Sequence, residues 1–259
     1  MRQPVLFISH GSPGLILEDT PARAFLAGLG AELGRPRAVL AISAHWEADR
    51  PLVSEAERPE TIHDFRGFPE ALYRMQHPCP GAPEVAEEVG ALLAEAGYRP
   101  ALAARGLDHG AWVPMKLIDP EAKIPVLQLS LLAGAGATEH WRLGQAVAPM
   151  RDRDVLILAS GSMTHNLGEI FRGGLVPGRP VEPWATAFAD WVAARIEANE
   201  VEALVDYRAR APEARRNHPT EEHLVPLHVA LGAACGEPGR RIHASVEFGA
   251  LAMDAYRFG

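Results

Sequence analysis

Residues 4–13 read PVLFISHGSP. Val5, Leu6, Phe7 and Ile8 form an apolar run of strand length with no polar alternation, as expected of a strand covered on both faces. The run ends on Ser9 and His10, and Gly11 and Pro13 permit a sharp exit from the strand. Three more runs share this character: RAVLAISA at 37–44, IPVLQLS at 124–130 and DVLILAS at 154–160. Helix-period segments lie between them: TPARAFLAGLGAEL from 20, APEVAEEVGALLAEAG from 82 and TEHWRLGQAVAPM from 138. Thr20 and Thr138 are the expected N-caps, and Pro21 follows Thr20 at the first helical position. After 160 the pattern is mostly helical, with segments from 181 and 220, and a last strand, RIHASVEF, is expected from 241. Strands alternating with helices predict a single α/β domain over residues 1–259. Its central sheet is mostly parallel, with helices on both faces. RGGLVPGRPVEP at 172–183 reads as a surface loop beside the site rather than a linker.

The chain has 259 residues, of which 47% are hydrophobic and 22% charged, an ordinary globular balance. A net charge of −8 offers no basic excess for phosphates and argues against a nucleic-acid partner. No apolar stretch approaches the roughly 18 residues of a membrane span, so no membrane partner is expected. No signal peptide is visible at the N-terminus. The two cysteines, Cys79 and Cys235, make neither a CxxC pair nor a disulfide framework. A cytoplasmic setting is the simplest reading, with the chain a monomer or homodimer.

Histidine is over-represented, with eleven residues. His10 and His45 follow apolar runs directly, and His165 lies shortly after a third. Ligands of open α/β sheets bind beyond the carboxyl ends of the strands, so parallel strands would bring these three together. His223, in HPTEEHL at the start of a helix, is a fourth candidate. One histidine ending one strand is ordinarily a capping or core residue. Three at successive strand ends point instead to a shared metal. Ser9, Ser12 and Ser43 are small polar groups able to bond a ligand or to orient a ring nitrogen.

Six motifs, HGSP at 10–13, SAHW at 43–46, TIHDFRGFPEALY at 61–73, DHGAW at 108–112, SGSMTHNL at 160–167 and PTEEH at 219–223, occur in a familiar order. The chain resembles the 4,5-DOPA extradiol dioxygenase-like proteins of the class III extradiol ring-cleavage superfamily, which includes the catalytic subunit of protocatechuate 4,5-dioxygenase. The resemblance runs from residue 4 to about 253. It implies that His10, His45 and His223 are metal ligands. It also implies that His165 is the acid–base catalyst and a possible fourth ligand, and that His109 acts beside the metal or substrate. Ser12 and the segment His63, Asp64 and Phe65 are expected to line the pocket. The implied substrates are a small aromatic diol and O2. Better-known superfamily members complete their iron site with a glutamate, where this chain places His223. Three imidazoles suit Fe(II) or zinc, so Fe(II) is expected in the active enzyme and Zn(II) in purified protein.

Two other classes fit a His-rich site. A zinc hydrolase would use Glu222 or Asp108 as base, and a non-catalytic protein would sequester metal or an aromatic ligand. A serine nucleophile is disfavoured, because SGSM lacks the full G-x-S-x-G elbow. Trp46, Phe65, Phe68, Trp112 and Trp184 are candidate aromatic walls.

Overall fold

The apolar runs do become strands, and their side chains divide between two cores. In the computed structural model, which describes residues 2–259, the main elements follow in chain order. They are β1 (Val5–Ser9), α1 (Pro21–Leu33), β2 (Ala38–Ser43), α2 (Pro83–Glu95), α3 (His109–Ile118), β3 (Val126–Gln128), α4 (Ala137–Val147), β4 (Val155–Gly161), α5 (Leu167–Gly173), α6 (Pro183–Glu197), α7 (Val225–Ala233), β5 (Gly239–His243) and β6 (Ala255–Phe258). Six strands form one sheet in the order β3-β2-β4-β1-β6-β5. The first four run parallel, and β6 and β5 are antiparallel additions at the β1 edge.

Side chains along a strand alternate between faces, and each face here has its own helices. Val5, Phe7, Leu40, Ile42, Ile157 and Ala159 pack with residues of α2, α4, α6 and α7. Leu6, Ile8, Val39, Ala41, Leu156 and Leu158 pack with α1 and α3. Both faces being dry explains why β1, β2 and β4 show no polar alternation in sequence.

The α1 start is as expected: Thr20 Oγ1 accepts a hydrogen bond from Arg23 N (3.2 Å), with proline at the helix start. Three expectations need correction, and two elements were not foreseen. Gly136, not Thr138, caps α4. His223 lies in a turn two residues before α7, not on its first turn. RIHASVEF is not one strand: β5 ends at His243, and Val246–Glu247 pairs with Leu251–Ala252 instead. Strand β6 was not anticipated, because four residues bearing one arginine make too short a pattern. Helix α3 was missed too, since it is buried almost throughout and carries Pro114 in its interior, so it shows no amphipathic period.

His228, on α7, is buried, and its Nε2 donates to the Leu204 carbonyl at 3.0 Å. Burial is the main cause lowering its pKa to about 4, against the opposing Leu204 hydrogen bond. Protons therefore bind the unfolded chain more tightly, and stability is lost as pH falls from about 6.5 towards 4. Between pH 7 and 5 this one group should cost about 2 kcal/mol. His228→Gln, which keeps a donor for Leu204, should flatten the pH dependence of urea unfolding by about that amount. An unchanged slope would refute the assignment.

Candidate metal and ring-cleavage site

Register brings the histidines together. Ser160 of β4 pairs with Ile8 of β1 on one side and Ser43 of β2 on the other, so the three carboxyl ends lie level. The ladder extends one step further, with His10 N donating to Gly161 O (3.0 Å) and Ala44 N to Ser160 O (3.1 Å). Gly11 then turns the chain away with φ +66°, a conformation that favours glycine. The turn carrying His223 lies directly against the end of β4. Ser162 N donates to His223 O at 2.8 Å, and a Cβ on Gly161 would sit 2.2 Å from that same oxygen. No other residue fits at 161 with His223 where it is.

Outer partners fix the tautomers of three rings. Ser160 Oγ spends its only hydrogen on Gly110 O (2.5 Å), so it must accept from His10 Nδ1 (3.0 Å). Asp64 Oδ1 accepts from both the backbone N (3.0 Å) and Nδ1 (2.9 Å) of His109. Glu222 Oε1 accepts from His223 Nδ1 at 3.0 Å. In each ring the proton sits on Nδ1 and Nε2 keeps a free lone pair, the arrangement that outer-shell acceptors give metal-binding histidines. His45 Nε2 meets His10 Nε2 at 3.0 Å.

Electrostatics keep those lone pairs available. His10 is only 2% exposed; burial first, and then the neighbouring imidazoles, hold its pKa well below the ordinary histidine range. The same two causes, in the same order, hold His223 well below that range. Burial, helped by His109 and opposed by Asp64, lowers His45 to about 3. His165 is also lowered, by burial above all. Burial alone would raise the Asp64 carboxyl, but hydrogen bonds and charge from His109 outweigh it and set its pKa at about 2. At neutral pH His10, His45, His165 and His223 are uncharged nitrogen donors.

Five expected residues do meet. The donor nitrogens of His10, His45 and His109 all lie within 4.8 Å of one another, as do those of His165 and His223 with a Glu222 oxygen. Ring centres of His45 and His223 are 4.9 Å apart, which joins the two groups. The rings open on a cavity of about 420 Å³, also lined by Ser12, Phe65, Phe68, Leu167, Phe171 and Glu18.

Other expectations are corrected. His63 and Asp64 are not among the lining residues. His63 Nε2 donates to Met75 O (3.0 Å), and Asp64 stands behind His109. Trp46, Trp112 and Trp184 are buried elsewhere, leaving Phe65 and Phe68 as the aromatic walls foreseen. Asp108 is fully buried, held by Gln128 Nε2 (2.9 Å), and Glu222 is engaged by His223 and Thr220, so neither is a free base. The orienting role of Ser160 was not foreseen; Ser9, Ser12 and Ser43 were the serines expected to do such work. Sequence reasoning also missed Leu167, Phe171 and Glu18, which belong to no chemical motif. Phe171, 61% exposed, looks in sequence like an ordinary surface residue.

Neutral imidazoles at the carboxyl edge of a parallel sheet, facing an aromatic-walled cavity, define a metal-dependent enzyme for a planar substrate. Residues 5–259 match the family described as the catalytic LigB subunit of aromatic ring-opening dioxygenase, and the chain belongs to that family. It is an extradiol ring-cleavage dioxygenase, which opens an aromatic ring with O2. A protein of Beta vulgaris named 4,5-DOPA dioxygenase extradiol is 43% identical, over 97% of this chain and 95% of its own. A protein of the same name from Escherichia coli K12 is 37% identical, over 100% and 95%. The crystal structure of an uncharacterised Escherichia coli K12 protein superposes with a TM-score of 0.79 at 31% identity, covering 100% of both chains. These matches support ring cleavage over the hydrolase and the non-catalytic readings. Among the described residues, no helix is long and apolar enough to cross a membrane.

Ser160→Ala removes the acceptor behind His10 and should weaken divalent-metal binding about 10–100-fold, measured by competition with a chromogenic chelator. Unaltered affinity would mean that His10 needs no such support.

Proposed function

We propose that this chain cleaves the ring of a catechol-type substrate such as DOPA, using Fe(II) held by His10, His45 and His223, in one catalytic domain spanning residues 1–259. Ring spacing carries the reading. A ligating nitrogen sits about 2.0–2.1 Å from its ion, so two imidazoles at about 90–110° have ring centres about 4.5–5.3 Å apart. The separations are 5.0 Å for His10–His45 and 4.9 Å for His45–His223, inside that range, and a wider 5.6 Å for His10–His223. His109 is 3.9 Å from His45, and His165 is 3.4 Å from His223 with planes 9° apart. The stacked rings of His165 and His223 cannot both aim in-plane lone pairs at one ion, and the family resemblance gives that place to His223; His109, tilted 40° to His45 and bound by Asp64, is assigned to the substrate. Three neutral donors also accept zinc, the metal expected in purified protein.

Bound there, Fe(II) supplies Lewis-acid polarisation of the catechol oxygens and the redox chemistry with O2. His165, unligated, removes a proton from a catechol hydroxyl as the neutral ring, and the imidazolium so formed later returns a proton to the opening product. His109 Nε2, left with its lone pair by Asp64, accepts a hydrogen bond from substrate. Phe65 and Phe68, with ring centres 5.3 Å apart and planes at 78°, wall the ring's position and exclude water. The carbon–carbon bond beside the diol breaks, both oxygen atoms enter the product, and a yellow semialdehyde results.

The support for DOPA is the name carried by the Beta vulgaris and Escherichia coli relatives. Anaerobic reconstitution with Fe(II), then O2 uptake and the yellow product with a panel of catechols, tests the whole reading. His10→Ala, His45→Ala and His223→Ala should each lose the metal, by elemental analysis. His165→Ala should retain it and lose about 10²–10⁴-fold in turnover. A His165→Ala enzyme at the parental rate would overturn the acid–base role. Metal loss in His109→Ala would overturn the ligand set.

A further inference from the structure

The cavity is unevenly charged. Apart from its imidazoles, Glu18 is the only acidic or basic side chain lining it, and no lysine or arginine does so among the described residues. Glu18 follows the short 3-10 turn Pro13–Leu17 that leads the chain away from His10. Its Oε1 is placed beside the cavity wall: the position a Cβ on Gly14 would take is 3.0 Å from Glu18 Oε1, 3.2 Å from Ser12 Oγ and 3.6 Å from Phe68 Cε1. The arginine nearest in sequence, Arg23, directs its Nε to Ile16 O (3.2 Å) rather than to Glu18. The charge of Glu18 is felt by a neighbouring carboxyl that does not itself line the cavity. Glu247 is mostly buried and precedes the lining residue Phe248. Its pKa is raised by burial first, with Thr20 opposing and the negative charge of Glu18 adding to the rise.

Elsewhere around the cavity, Leu167, Ile170, Phe171, Leu175, Phe248 and Leu251 are apolar. A carboxylate on the substrate's side chain would therefore meet a wall with no cation and one fixed negative charge. An ammonium group would meet its only counter-ion.

We propose that Glu18 is a specificity-determining residue that pairs with an ammonium group on the alkyl side chain of a catechol, so that the site prefers amine-bearing catechols to those bearing only a carboxylate. This rests on the catechol-cleavage reading above and names the substrate class within it. A catechol amino acid satisfies it through its amine, with its carboxylate turned towards solvent.

The test compares three catechols of similar chain length: dopamine (cationic), 4-propylcatechol (neutral) and 3-(3,4-dihydroxyphenyl)propionate (anionic). For the Fe(II)-loaded enzyme, kcat/KM should fall in that order. The cation-to-anion ratio should drop about tenfold in Glu18→Gln and invert in Glu18→Lys, with the neutral catechol as reference in each protein. Calorimetric binding of the same three compounds to metal-free protein should show the same order and the same loss of it. A wild-type preference for the anion, or a ratio unmoved by both substitutions, overturns the role of Glu18. Absence of turnover on all three, with the binding order intact, would overturn the ring-cleavage reading and leave the assignment of Glu18 standing.

Discussion

A lone pair on an imidazole nitrogen exists only while the proton is held on the other nitrogen, and the site depends on that constraint. Ser160 takes the Nδ1 proton of His10, Asp64 that of His109 and Glu222 that of His223. Each acceptor lies far from the others in sequence and is itself pinned, as Ser160 is by the Gly110 carbonyl. Burial then makes the charged imidazolium unfavourable, so the rings wait as neutral donors. Gathering several uncompensated polar rings in one dry pocket is costly. The sheet, anchored by two cores, holds them there.

The fold meets this demand by alignment. Three parallel strands end level because their hydrogen-bond ladders share Ser160 as a common rung, and the histidines issue from those ends or just beyond. His223 comes from a turn that approaches backbone to backbone at Gly161. The spread in ring separation divides the five imidazoles by task. Rings about 5 Å apart, as in His10–His45 and His45–His223, are spaced to share an ion, whereas the stacked His165 and His223 cannot both aim at one.

Much of this was legible in the sequence, and the exceptions have physical reasons. Val5–Ile8 and the runs around Leu40 and Ile157 announced a doubly covered parallel sheet because both their faces are dry. His10 and His45 were readable because a strand end is a position that local pattern defines. Ser160 was passed over, since its role depends on which oxygen its hydrogen faces, a matter of tertiary contact. Asp64 and His63 lie in a motif that does belong to the site, yet pattern alone cannot say which side of a wall a residue occupies. Helix α3 escaped notice because burial on all sides erases periodicity. Leu167, Phe171 and Glu18 escaped because a cavity's outer wall is built from whatever residues the surface supplies.

Strand β1 lies between β4 and β6, so its two neighbours are made roughly 150 and 250 residues after it. During synthesis, His10 leaves the ribosome early and stays without Ser160 or its flanking strand until most of the chain has emerged. Long sequence separations of this kind slow folding through the entropy of closing large loops. The nascent chain thus holds its first imidazole long before it has a place to put it, and ion loading becomes an event of the finished polypeptide.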